Sequence, residues 1–253
     1  MSLRIGFDLD GVFADMETAL VRHARDLFGE AMIERLQERA KEASPGDSTT
    51  VPESAVETDS ASPTVADNTP PILRIKMTTR QTTKLWRHVE TIENFWESLE
   101  ELEPGALAQL AAIASERRWE IIFLTKRPST AGATAQLQSQ KWIVEKGFPL
   151  PSVFVVQGSR GRIAQALGLD IVVDDRPENC LDVVTDSKAR AVLVWREKQQ
   201  GLPTAARRLG IGVVESLAEC LDILVQIDGA VPEEKPGVFN RVMRILGRSA
   251  ASS

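Results

Sequence analysis

The 253-residue sequence has little of what covalent frameworks and metal centres are usually built from. It holds two cysteines, Cys180 and Cys220, and two histidines, His23 and His88, and neither pair has a metal-ligand spacing. Neither a disulfide scaffold, a zinc site nor a histidine-rich metal centre is suggested. Long apolar runs are missing as well, since nothing approaches the ~20 residues needed to span a bilayer. The acid at Asp8 leaves no room for the apolar region of a signal peptide. Nor is there an excess of positive charge: the formal net charge is -6 and the isoelectric point about 5.2. Such a chain is not built to coat a nucleic-acid polymer. A soluble protein of a reducing, cytoplasmic setting is expected.

What is present suffices for a core. Hydrophobic residues make up 43% of the chain, and the length fits one large domain or a core carrying an inserted module. One stretch breaks the pattern, "ASPGDSTTVPESAVETDSASPTVADNTPP" at about 43–71, which has no aromatic and no basic residue. It buries too little apolar surface to offset its ordering entropy, so it reads as a disordered linker. Its five acids (Asp47, Glu53, Glu57, Asp59 and Asp67) carry most of the net charge, leaving the remainder nearly neutral.

Outside the linker, apolar runs alternate with helical patterns. The runs are "LRIGFDL", "WEIIFLT", "VFVVQG", "DIVVDD", "AVLVW" and "GVV", with "GALAQLAAIASERR" and "GRIAQALGL" among the helical stretches between them. Unbroken apolar strands alternating with amphipathic helices predict an α/β fold, a Rossmann-like parallel sheet covered by helices on both faces. Residues 16–42 and 76–102 read as helical instead, with Leu85, Val89, Ile92, Trp96 and Leu99 at helical spacing. A helical cap at 16–102, carrying the linker, is thus inserted after the first strand of a core formed by 1–15 and 103–228. Trp86, Phe95 and Trp96 either fill the cap's own small core or line a pocket. The tail, 229–253, contains "GVFNRVMRILGR", a short basic amphipathic helix that would dock on the core, a partner or a membrane surface.

Several strands end in polar residues, and ligands of open parallel sheets bind beyond such ends. The first run closes on Asp8 with Asp10 just beyond, the second on Thr125, the fourth on Asp174 and Asp175. If these strands are neighbours, three or four carboxylates and a hydroxyl share one crevice, and acids that close raise one another's pKa or require a cation. Oxygen-only ligands suit Mg2+. Two residues of extended chain span ~6.6 Å, which leaves one of Asp8 and Asp10 beside the metal as a nucleophile and the other free to move protons. Ser159 reads as a helix N-cap, placing Arg160 and Arg162 in the first turn, where the helix dipole disfavours cations. A nearby anion would account for them, as would simple exposure to solvent. Lys126 and Arg127 would extend the same positive patch, or belong to an ordinary loop.

Together these segments resemble the haloacid dehalogenase-like (HAD) hydrolases. "DLDGV" is similar to that family's first motif, the run ending at Thr125 to its second, a basic residue a dozen positions before the acidic pair to its third, and "DDRPEN" to its fourth. All four occur in the family's order, and the style is similar to its deoxyribonucleotidase-like branch. The resemblance implies a Mg2+-dependent phosphatase acting on a small phosphorylated metabolite, a nucleotide among the candidates. Asp8 would be the nucleophile and Asp10 the acid and base. Thr125 would hydrogen-bond the phosphoryl group, and Lys126, Arg127 and Arg162 would face the substrate. The ion would be held by Asp8, the Asp10 carbonyl and Asp175, with Asp174 a ligand through water or an orienting neighbour. One departure is that Arg160 stands where the family usually has lysine, a planar fork in place of a point charge. The alternative it leaves open is a weakly active or inactive scaffold that binds a phosphorylated ligand or a protein partner.

Overall fold

The computed structural model describes residues 2–42, 77–196 and 208–229. The 43–71 linker and the tail lie outside the described residues. The described chain divides into two units. One comprises residues 1–16 with everything from 93 onward, and the other comprises residues 17–92.

The first unit is built on six strands: β1 (Arg4–Asp8), β2 (Glu120–Thr125), β3 (Ser152–Val155), β4 (Ile171–Asp174), β5 (Arg190–Val194) and β6 (Gly212–Val214). Every pairing is parallel, in the order β3-β2-β1-β4-β5-β6. All six apolar runs became strands; β1, β4 and β5 in the middle of the sheet are almost wholly buried, while the edge strand β3 leaves Ser152 and Phe154 exposed. The interleaved helices are α4 (Ala106–Arg117), α5 (Ala135–Glu145), α6 (Arg160–Leu167), α7 (Pro177–Asp186) and α8 (Leu217–Gly229). Strand side chains alternate between faces. Leu124, Val172, Ala191 and Leu193 pack with Ala164, Cys180 and Val183 of α6 and α7. On the opposite face α8 packs against α4, β5 and β6.

From β1 the sheet grows one way through β2 and β3, and the other way through β4 to β6. The reversal at β1 and β4 is where such a sheet opens a ligand crevice. Register decides what meets there. Asp8 stands opposite Leu124, next to Thr125, while Phe7 stands opposite Val173, next to Asp174. The ends of β1, β2 and β4 therefore finish side by side.

The second unit holds most of α1 (Met16–Phe28), α2 (Glu30–Glu42) and α3 (Thr79–Glu90). Gly29, at φ +84, separates the first two by adopting a conformation that favours glycine. The entry to α3 is set by a capping box between Thr78 and Gln81. The helix expected to run to 102 stops at Glu90. Thr91 caps it, Asn94 takes a left-handed conformation at φ 51, and only a 3-10 turn at Phe95–Glu97 follows. Residues 93–102, expected with the inserted helices, belong to the strand unit. The helical spacing of Ile92, Trp96 and Leu99 was coincidental. Trp96 and Phe95 are wholly buried, and the Trp96 indole N–H donates to the Pro128 carbonyl at 2.9 Å, just beyond the end of β2.

Candidate active site

After β1 the chain turns at once. The amides of Phe13 and Ala14 both donate to the Leu9 carbonyl, at 2.9 and 2.8 Å. Gly11 sits at φ +86, where a β-carbon would lie 1.9 Å from Asp175 Oδ2, so only glycine lets the Asp175 carboxylate come this close. Arg196, just past β5, clamps the turn from behind. Its Nη1 donates to the Gly11 carbonyl at 2.5 Å, and its Nη2 donates to the Val12 carbonyl at 3.1 Å and to Glu103 at 2.8 Å. Glu103 in turn accepts from the Leu217 and Ala218 amides that open α8. Burial works against its charge, but these donors and Arg196 prevail and hold it below the usual carboxylate range.

Arg160 is the first residue of α6. The Ser159 hydroxyl caps that helix by accepting from the Arg162 amide. Gly161 lets α6 approach α7 closely, since a β-carbon there would meet the Asp182 carbonyl oxygen at 2.2 Å. That approach buries Arg160 to 2% exposure. Its Nη2 donates to Asp8 Oδ1, and its Nε lies 3.5 Å from Asp174 Oδ2. Nε and Nη1 are buried and make no hydrogen bond. The cation at an unfavourable helix position is thus offset by two carboxylates, while Arg162 is exposed to solvent.

Asp174 is fully buried, and both its oxygens are occupied: Asn179 Nδ2 donates to them at 2.9 and 3.0 Å, and the Arg176 amide donates at 2.9 Å. Asn179 lies within "DDRPEN", and no property of the sequence alone gave it a role. Asp10 receives Nε and Nη2 of Arg127 at 2.8 to 3.1 Å, and the Thr125 hydroxyl at 3.1 Å from Oδ2. The structure thus brings together Asp8, Asp10, Thr125, Arg127, Arg160, Asp174 and Asp175. Lys126 and Arg162 are not brought onto these acids by any hydrogen bond or ion pair among the described residues. Arg127, expected to face substrate, is 1% exposed.

Burial raises Asp8 well above its ordinary value. Arg160 opposes this, and Asp174, Asp175 and Asp10 reinforce it. Burial likewise raises Asp174, and burial together with Asp174 pushes Asp175 up to about 8. Among the described residues no three acid, histidine or cysteine side chains are grouped to hold a metal ion. The set that the resemblance implies is smaller: the carboxylates of Asp8 and Asp175 with the carbonyl of Asp10. Asp175 Oδ1 is buried and accepts no hydrogen bond, and an unpaired buried carboxylate oxygen among further acids calls for a cation. Donors that are all oxygen suit Mg2+. Asp174 and the Asp10 side chain, already engaged, fall outside that set.

A stability prediction follows from the raised acids. Without a divalent ion the folded state retains on Asp175 a proton that the unfolded chain releases near pH 4. The stability it contributes is complete below that pH and lost as the pH rises toward 8. In EDTA the melting temperature should therefore fall between pH 5 and pH 8.5. Asp175→Asn should flatten the slope, and Mg2+ at pH 8 should recover several degrees of it. A flat profile in the unsubstituted protein, read by calorimetry, would contradict the burial of these charges.

A scan against known protein families returns no match, and no curated protein matches the sequence. Solved structures similar to the chain include a hydrolase from Pseudomonas syringae, 16% identical over 91% of this chain and 100% of that one, with a TM-score of 0.48. A putative β-phosphoglucomutase from Thermotoga maritima is 16% identical over 89% and 99%, with a TM-score of 0.46. A HAD family hydrolase from Deinococcus radiodurans R1, with bound phosphate and sodium, is 13% identical over 92% and 99%, with a TM-score of 0.46. Dehalogenases are also among these neighbours. At such values the likeness decides nothing about activity, which has to be argued from the side chains.

Proposed function

We propose that the chain hydrolyses a small phosphomonoester, with Asp8 as nucleophile and a covalent aspartyl-phosphate as intermediate. The observation that supports it most is the pairing of Asp8 with Arg160. A carboxylate at a strand end is held by a buried guanidinium whose Nε and Nη1 still lack acceptors, so an anionic group beside Asp8 would find its donors already in place.

In the first half-reaction an Asp8 carboxylate oxygen forms a bond to phosphorus, the bond from phosphorus to the ester oxygen breaks, and Asp10 gives its proton to the departing alkoxide. In the second half a water oxygen bonds to phosphorus, its proton passes to Asp10, and Asp8 leaves as carboxylate. The net reaction is ester plus water giving alcohol plus phosphate. Arg160 binds the phosphoryl oxygens, while Asn179 fixes Asp174 so that Arg160 keeps its direction. Mg2+ bound by Asp8, the Asp10 carbonyl and Asp175 would supply charge neutralisation to the phosphoryl group.

The test is phosphate release by the purified full-length chain from p-nitrophenyl phosphate and from a panel of phosphorylated metabolites, nucleoside monophosphates first. Release in Mg2+ that EDTA abolishes is expected. Binding of inorganic phosphate with no turnover on any substrate would overturn the reading in favour of a ligand-binding scaffold.

A further inference from the structure

We infer that Arg127 is the positioning residue of Asp10 and makes no contact with substrate, an inference that deepens the proposed phosphatase reading and rests on it. Its place in the sequence, two residues beyond Thr125 at a strand end, points to an anion ligand in a loop. Its surroundings contradict that. Nε and Nη2 fork onto Asp10, and Nη1 donates to Ser139 Oγ at 2.9 Å. The indoles of Trp96 and Trp142 lie 4.9 and 5.6 Å from its guanidinium carbon.

Each part of this box is itself held. Ser139 Oγ donates to the Ala135 carbonyl at 2.7 Å, and the Trp142 indole N–H donates to the Leu99 carbonyl at 2.7 Å. Trp96 is held through Pro128 as described above. Each of the three Arg127 nitrogens already donates, unlike Nε and Nη1 of Arg160, so this guanidinium is fully committed to Asp10 and Ser139. A planar fork among aromatic rings and hydroxyls is instead suited to fixing one carboxylate in one orientation.

Asp10 needs such fixing. It lies in the turn beyond β1, and a general acid works only when its proton points along the bond being broken. Arg127 contacts both oxygens of the carboxylate and Thr125 contacts Oδ2, yet the side chain remains 12% exposed, which leaves access for proton exchange. The Thr125 hydroxyl can donate to the ionised acid and accept from the protonated one, so its contact serves both half-reactions.

Leaving-group dependence separates this role from a structural or substrate-binding one. An alkyl phosphate needs its leaving oxygen protonated, whereas p-nitrophenyl phosphate hardly does. Arg127→Lys keeps the charge but cannot fork. It should lower kcat/KM, which reports release of the alcohol and not the later hydrolysis shared by both esters, about 100-fold on the alkyl ester and only a few-fold on the aryl ester. Equal losses on both esters, or a raised KM at unchanged kcat, would overturn the inference. Ser139→Ala, which removes only the Nη1 contact, should show the same selectivity more weakly and serves if the lysine variant does not fold; equal effects on both esters would again count against it. If the unsubstituted protein hydrolyses nothing, the phosphatase reading fails by itself. The link is then read from melting temperatures in a cycle of Asp10→Asn and Arg127→Lys. A double variant that loses less than the sum of the singles supports the link, and additive losses overturn it.

Discussion

Asp8→Asn should abolish phosphate release, by on the order of 10^4-fold or more, while the fold persists. Asparagine has nearly the same shape, so it fits the buried position at the end of β1, but its amide oxygen is too poor a nucleophile to open a phosphoester. The substitution also removes one acid from a group of four whose mutual repulsion and burial raise Asp8, which favours folding in the absence of an ion. The loss of ion pairing with Arg160 acts in the opposite direction. Circular dichroism should therefore show an unchanged fold. Rapid acid quenching of the unsubstituted protein should trap a phosphorylated species whose peptide map places the group on Asp8, and the variant should trap none. Residual turnover near the original rate, or a phosphoryl group on another residue, would remove the nucleophile from the scheme.

Gly11→Ala should be the next most damaging change. The position has φ +86, and the new methyl would lie 1.9 Å from Asp175 Oδ2 and 2.5 Å from its Cγ. The backbone alone costs about 1–2 kcal/mol with a side chain in that region, and the overlap forces either the turn or Asp175 to move. A melting temperature several degrees lower is expected, at about 2–4 °C per kcal/mol for a chain of this size. Added Mg2+ should no longer raise it, because Asp175 would be displaced from the proposed ion site. Activity should fall by two or more orders of magnitude. A variant that melts early yet responds normally to Mg2+ would mean that the glycine serves the turn alone.

How much of this could be read from the residues varies with the kind of interaction. The six strands were legible because each run is apolar on both sides of its pleat, a property local to the run. The meeting of Asp8, Thr125 and Asp174 was legible because strand ends in a parallel sheet converge once the strands are neighbours. The extent of the inserted helices was not. Leu85 and Val89 share a helix, but the matching spacing of Ile92, Trp96 and Leu99 continued past a cap at Thr91 that carries no strong stop signal. Trp96 was consequently assigned to the insert, although its contact lies with Arg127. Arg127 itself looked like a surface cation because its burial depends on Trp142 and Ser139, which no local pattern connects to it. Asn179 and Arg196 escaped notice for the same reason: a hydrogen bond to Asp174 or to the Gly11 carbonyl leaves no periodic trace.

The clamp of Arg196 on the Gly11 turn has a consequence for biosynthesis. The strand that ends at Asp8 leaves the ribosome well before the arginine that steadies the following turn, and that arginine is anchored by Glu103, which is anchored in turn by the amides of Leu217 and Ala218. A nascent chain that has paired its first five strands still lacks those two donors. The Gly11 turn is therefore completed only when the last described helix has emerged, and translation products ending before it would carry Asp8, Asp10, Asp174 and Asp175 without the full anchoring of Arg196.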